Sequence, residues 1–169
     1  MTQISKSDAT APHILSATLS WPLTPQFILP VTVKDTDIDD FQHVNNVVYL
    51  NWMARCAWAH SKDLGFDFAA FEQHDCGFVV TRHEIDYRAA AKPQEQIAVA
   101  TWIVENDQRL RLSRRFLIWS VDRDMHLASG VTRFAAMRLS TEKACRMVAA
   151  YQTGYPVDKD SLVYFGPLD

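Results

Sequence analysis

Glycine and cysteine are scarce in this chain, and long apolar runs are missing. Five glycines occur in 169 residues, and none gather into the glycine-rich loop that cradles phosphates. The three cysteines, Cys56, Cys76 and Cys145, lie far apart and are odd in number, which argues against a disulfide framework and fits a reducing cytoplasm. No uninterrupted run of 18 apolar residues occurs, and the first 25 residues lack a basic-then-apolar signal layout. The expectation is a soluble, unexported, cytoplasmic protein without a membrane partner. A net charge of -3 and a pI near 6.0 imply no general attraction to nucleic acid. Metal-ligand spacing is also missing. Cys56 and His60 stand four apart on one helical face, but no second pair follows, and core packing explains them better. His74 and Cys76 lack the third group that an activated cysteine needs. Asp35, Asp37 and Asp39 resemble the start of a calcium loop, yet Asp40 holds the glycine position and Asn46 the glutamate position. Neither a metal nor a bound cofactor is expected.

What is present is one domain's worth of chain with a change of period in its middle. Residues 1–25 are rich in Ser, Thr, Ala and Pro and are read as a tail or arm. Phe27 to Val33 is β-rich, and Pro30 places it at a sheet edge or a bulge. From Asn46 to about Leu64 apolar residues run almost all round, which predicts a buried helix that Gly65 ends. Phe66 to Gly77 carries no clear period and is expected to be a short helix or loop. Alternation then takes over in Val79 to Tyr87, Ile97 to Glu105, Leu110 to Val121 and His126 to Arg138, with short turns between. Short connections mean antiparallel pairing. One sheet with one apolar helix must wrap around that helix, an α+β arrangement spanning 26–140. Residues 141–169, with Tyr151, Tyr155, Tyr164 and Phe165, are expected to pack over an edge of it. Exposed edges invite pairing with a second copy, so a homodimer or homotetramer is expected.

The stretch Val33 to Tyr49 packs acids, amides and a histidine immediately before the apolar helix. Read as an extended segment, it puts Asp35, Asp37 and Asp39 on one side, where like charges repel. Asn45 or Asn46 offers a helix cap. The N–H groups of the first turn, near Asn46 and Val47, suit an oxygen that gains negative charge. Seven arginines lie between Arg109 and Arg138, and a solvated strand face is the simplest account of them. Arg82, Arg88, Arg111, Arg115 and Arg133 have a second reading as grips for phosphates.

With that order in place the chain resembles the hotdog-fold thioesterases of the 4-hydroxybenzoyl-CoA thioesterase and acyl-CoA thioesterase type. Their loop reads V-x-x-x-D-x-D-x-x-G-H-V-N-N-x-x-Y, and Val33, Asp37, Asp39, His43, Val44, Asn45, Asn46 and Tyr49 match it without a gap. Phe78-Val-Val through Tyr87 is similar to the family's second strand. The resemblance implies an antiparallel sheet around one long helix and hydrolysis of an acyl-CoA or acyl-carrier thioester. It also implies a site at an interface between copies, with Asp39 as nucleophile or general base. His43 and Asn46 join Asp39 as catalytic candidates, and Asn45, Val47, Tyr49 and Arg88 as substrate-binding ones. Asp37 is read as structural, pairing with a backbone N–H or Lys34. Three departures stand out. Gln42 replaces the usual glycine, Ala54 and Arg55 replace a helix glutamate, and Ala90 replaces a proline. The lost glutamate supports an alternative, a non-catalytic hotdog module that binds an acyl chain. A hydratase reading needs an Asp and a His five apart, which this loop does not supply.

Overall fold

The computed structural model describes residues 19–166 and Leu168. Most of the tail expected at 1–25 therefore lies outside the described residues. Six strands, β1 (Phe27–Thr32), β2 (Gly77–Tyr87), β3 (Gln96–Asn106), β4 (Arg111–Ser120), β5 (Met125–Arg138) and β6 (Lys143–Ala144), form one antiparallel sheet. Its order is β1-β3-β4-β5-β2, with β6 added to β5. Among the described residues four α-helices accompany it: α1 (Asn46–Asp63), α2 (Phe68–Gln73), α3 (Ala149–Gly154) and α4 (Lys159–Phe165). The strands stand within one or two residues of their expected positions. Pro30 sits on β1, an edge strand, where its missing N–H costs no ladder bond.

The sheet wraps around α1. Asn45 caps the helix by accepting the Val47 N–H at 2.9 Å, and Gly65 at φ 87° follows the last turn. Tyr49, Trp52, Met53, Cys56 and Ala57 face inward and meet Val31, Val99, Phe116, Ile118 and Leu127. Each of the large aliphatic and aromatic side chains among them contributes about 1.5–3 kcal/mol by leaving water. At Gly130 on β5 an added Cβ would stand 2.6 Å from the Met53 methyl, so glycine lets the helix seat closely there. Cys56 and His60 are both core residues, the former donating its thiol to the Val99 carbonyl at 3.3 Å.

The C-terminal segment does more than cover an edge. Tyr151 and Tyr155 sink into a second apolar cluster with Phe66, Phe71 and Phe78. Phe165 of α4 meets Trp102 on the outer face of the sheet, where Leu19, Trp21 and Leu23 also pack. Both faces of β3 are thereby buried. Among the described residues the second edge, β2, pairs with β5 alone, and it exposes Val79, Val80 and Tyr87. Cys76 and Cys145, distant in the chain, bring their sulfurs to 3.6 Å as free thiols. Among the described residues no helix is long and apolar enough to cross a membrane.

Candidate functional site

The acidic loop is folded rather than extended. Asp35–Asp37 forms a 3-10 turn, and the three aspartates diverge. Asp35 accepts from the Gln94 side chain at 2.7 Å, and Asp37 accepts the Lys34 N–H at 2.9 Å, the structural pairing expected for it. Asp39 caps a tight hairpin closed by the Ile38–Val44 bridge. Its own N–H reaches the His43 carbonyl at 2.8 Å, and its carbonyl accepts the Gln42 N–H at 2.9 Å. Gln42 takes φ 59°, the left-handed conformation that a glycine would supply without strain. The substitution at this position therefore leaves the turn intact at a cost of roughly 1 kcal/mol.

That hairpin aims one carboxylate into a cleft of about 380 Å³ lined by Asp39, His43, Asn46, Tyr49, Tyr87 and Arg88. Asp39 Oδ1 accepts the N–H groups of Phe41 at 2.9 Å and His43 at 3.4 Å, which orient the carboxylate. Oδ2 has no partner among the described residues. At the start of α1 the amides divide. The Val47 N–H is taken by the Asn45 side chain and the Val48 N–H by the Asn45 carbonyl. Only the Asn46 N–H is left without an intramolecular acceptor among the described residues. This corrects the expectation for Val47, whose amide is already spent on the cap. Its side chain points away too, into a separate hollow with Thr36, Asn51 and Arg55. Asn45 likewise serves the helix start rather than the cleft.

Tyr49 forms the floor. It is buried, its hydroxyl accepts the Ala91 N–H at 2.7 Å, and burial raises its pKa, so the phenol stays neutral. Tyr87 is a site residue that the alternating pattern hid, because it reads as one more strand position. Its hydroxyl donates to the Asn46 carbonyl at 3.0 Å, and its ring meets Tyr49 edge-on at 5.3 Å, tying β2 to the helix start. Glu95 and Arg123 brace the far wall. Burial pushes the Glu95 carboxyl up, but the Arg123 guanidinium and the Ser120 hydroxyl outweigh it and hold it below its ordinary value. Arg123 also donates to the Ala90 carbonyl at 3.0 Å, pinning the segment that borders the cleft. No sequence signal marks this pair, whose members lie far apart in the chain.

The other arginines separate. Arg82 pairs with Glu84 at 2.7 Å, and Arg111 lies within 3.5 Å of both Glu105 and Asp107. Arg88 is exposed and lines both the cleft and a hollow on the outer face of the sheet. Arg114 contradicts the solvated-face reading, being 1% exposed inside the sheet.

The sequence pattern of the thioesterase-like superfamily matches residues 33–152. No curated protein matches the chain in sequence. Among solved structures, a DHNA-CoA thioesterase from Staphylococcus aureus is similar with a TM-score of 0.70 at 20% identity, covering 84% of this chain and 95% of its own. A 1,4-dihydroxy-2-naphthoyl-CoA thioesterase from Synechocystis follows with a TM-score of 0.69 at 17% identity, over 76% and 94%. A probable thioesterase from Escherichia coli gives 0.66 at 21% identity, over 75% and 94%. The curled antiparallel sheet around one helix is the hotdog fold that these structures share. With the family pattern running from Val33 through the Asp39 hairpin, α1 and the sheet to α3, the chain belongs to the thioesterase-like superfamily.

Proposed function

We propose that the cleft hydrolyses an acyl-CoA or acyl-carrier thioester to a free acid and a thiol. Two features gathered in one cleft support this reading most. Among the described residues Asp39 keeps one carboxylate oxygen without a partner, and the Asn46 N–H at the positive end of α1 keeps its donor without one. In a water route Asp39 takes a proton from water, and the hydroxyl oxygen bonds to the thioester carbon. The carbonyl oxygen then gains the negative charge that the Asn46 N–H stabilises. Collapse breaks the C–S bond, and the proton passes to the departing sulfur. In a nucleophilic route Asp39 attacks the carbon itself, the C–S bond breaks as the thiolate leaves and takes up a proton, and water then opens the resulting mixed anhydride to the free acid and the Asp39 carboxylate. His43, exposed beside Asp39, is positioned to orient water or substrate, and Arg88 to meet the phosphates of CoA.

A homo-oligomer joined along β2 completes the picture, because that unpaired edge is rimmed by exposed Val79, Val80 and Trp58. A cytoplasmic setting fits the free thiols. Replacing Asp39 by Asn is the deciding experiment: thiol release from a panel of acyl-CoA substrates disappears while the fold persists, and unchanged turnover would sink the mechanism. The second reading, a non-catalytic acyl-binding module, draws on Ala54 and Arg55, which leave this part of α1 without a carboxylate. Stabilisation of the wild-type protein by acyl-CoA without thiol release would select it.

A further inference from the structure

Arg114 lies at the other end of α1, 1% exposed, in a setting unusual for a cation. Its Nη1 donates to His60 Nδ1 at 2.7 Å and its Nη2 to Ser61 Oγ at 3.1 Å, and the guanidinium lies 5.6 Å from the centre of the Tyr155 ring. Because arginine only donates, His60 accepts on Nδ1 and carries its proton on Nε2. None of these partners is an anion. Burial and the Arg114 charge hold the His60 pKa down to about 3, and burial pushes the Cys56 thiol up to about 12, so both neighbours are neutral. The last turn of α1 offers a partial negative charge, and its carboxylate, Asp63, is exposed and forms no ion pair with Arg114 among the described residues. A guanidinium has five N–H donors, and hydrogen bonds to His60 and Ser61 account for two. An isolated buried charge is costly unless something compensates it.

Arg114 also borders a cavity of about 140 Å³ between α1 and strands β2, β4 and β5. That is close to the size of an engineered pocket, about 150 Å³, that admits benzene in another protein. Its wall is mostly apolar, with Ala57, Trp58, Phe78 and Phe134 among the lining residues. The polar groups on it are Arg114, Ser61 and the pair His83 and Thr132, which share a 2.9 Å hydrogen bond. Among the described residues no carboxylate lines it. The cavity's helical residues Met53, Ala57 and Ser61 continue the stripe that begins at Asn46, and Ser61 stands about 22 Å along the axis from it.

We propose that the acyl group taken by this protein ends in a carboxylate, which enters the cavity beside α1 and pairs with the Arg114 guanidinium. The inference rests on the thioesterase reading of the Asp39 cleft and names the substrate class for it, an ω-carboxyacyl thioester. Arginine's fork suits a carboxylate in two parallel hydrogen bonds, and the apolar wall takes the methylenes that precede it. A methyl-terminated chain would leave the buried charge unpaired and is disfavoured for that reason.

The test compares ω-carboxyacyl-CoA with methyl-terminated acyl-CoA of matched chain length. Wild-type protein prefers the former by roughly ten-fold or more in kcat/KM, the worth of a hydrogen bond to a charged group. Arg114→Met removes that preference, and Arg114→Lys keeps part of it through charge alone. Preference for the methyl-terminated series in wild-type protein would overturn the inference and leave the hydrolysis reading standing. A parallel measurement needs no turnover: free alkanoates raise the unfolding temperature of wild-type protein more than alkanols of equal length, and Arg114→Met abolishes the difference. If thiol release fails for both series, the hydrolysis reading falls, and this shift alone decides for or against Arg114 as a carboxylate site.

Discussion

The two ends of α1 carry polar groups of opposite character. At its N-terminus, the Asp39 carboxylate, the His43 ring and the Asn46 amide stand in an open cleft, and the hydrogen bonds that orient Asp39 join residues two to four apart. At its C-terminus, Arg114 meets His60 and Ser61 across 54 and 53 residues, with all three side chains buried. The open end is charged at little cost because water screens it. The closed end holds its charge against desolvation, so its groups respond strongly to protonation. Local chain geometry builds the first, and packing builds the second.

The sharpest way to separate the ends is to remove chemistry from one without touching stability. Asp39→Asn should lower thiol release by about a hundred- to ten-thousand-fold, the range for a positioned acid-base group, with an unfolding midpoint close to wild type. A large loss of stability would show that the hairpin, not the carboxylate, is what Asp39 supplies.

The closed end should instead reveal itself in acid. Burial and Arg114 hold the His60 imidazole near a pKa of about 3, against an ordinary 6.5. As pH falls, the unfolded chain therefore takes up the proton first. The contribution of neutral His60 is complete above about pH 6.5 and is lost progressively toward pH 3. Replacing His60 by Gln should flatten this limb by up to about 1.4 kcal/mol per pH unit, read by denaturant unfolding at several pH values. Equal acid slopes in the two proteins would place the strain elsewhere.

Tyr87→Phe tests whether the open end depends on the sheet. Loss of the bond to the Asn46 carbonyl should cost about 0.5–1.5 kcal/mol and reduce kcat several-fold, while acid sensitivity stays unchanged. The smallest effect belongs to Gln42→Gly. Relief of the positive φ is offset by greater freedom of the unfolded chain, so stability should rise by at most about 1 kcal/mol. A loss of activity in that variant would mean that the Gln42 side chain, and not the turn, serves the cleft.

Much of this was legible in the chain. The apolar run from Val47 to Ala59 required burial, and the alternating segments required a sheet to supply it. The match from Val33 to Tyr49 pointed to Asp39, and the fold sets its carboxylate in the same cleft as His43, Asn46, Tyr49 and Arg88. Gln42 could not be judged from sequence, because a non-glycine residue adopts a left-handed turn only when the surrounding bonds hold it there. Val47 misled because a capping side chain and an empty anion site look alike until the Asn45 rotamer is known.

Sequence by itself determined the order of strands and helix and confined Pro30 to a sheet edge or a bulge. Both follow from periodicity and contacts within a few residues. Tertiary structure alone decided that Cys76 meets Cys145, that Glu95 and Arg123 brace the cleft, and that Arg114 turns inward beside a cavity with no counter-charge. Arg114 and Arg115 are neighbours in one strand, and alternation sends them to opposite faces. Which face becomes interior depends on what packs there, and α1, whose His60 lies 54 residues from Arg114 in the chain, supplies that answer.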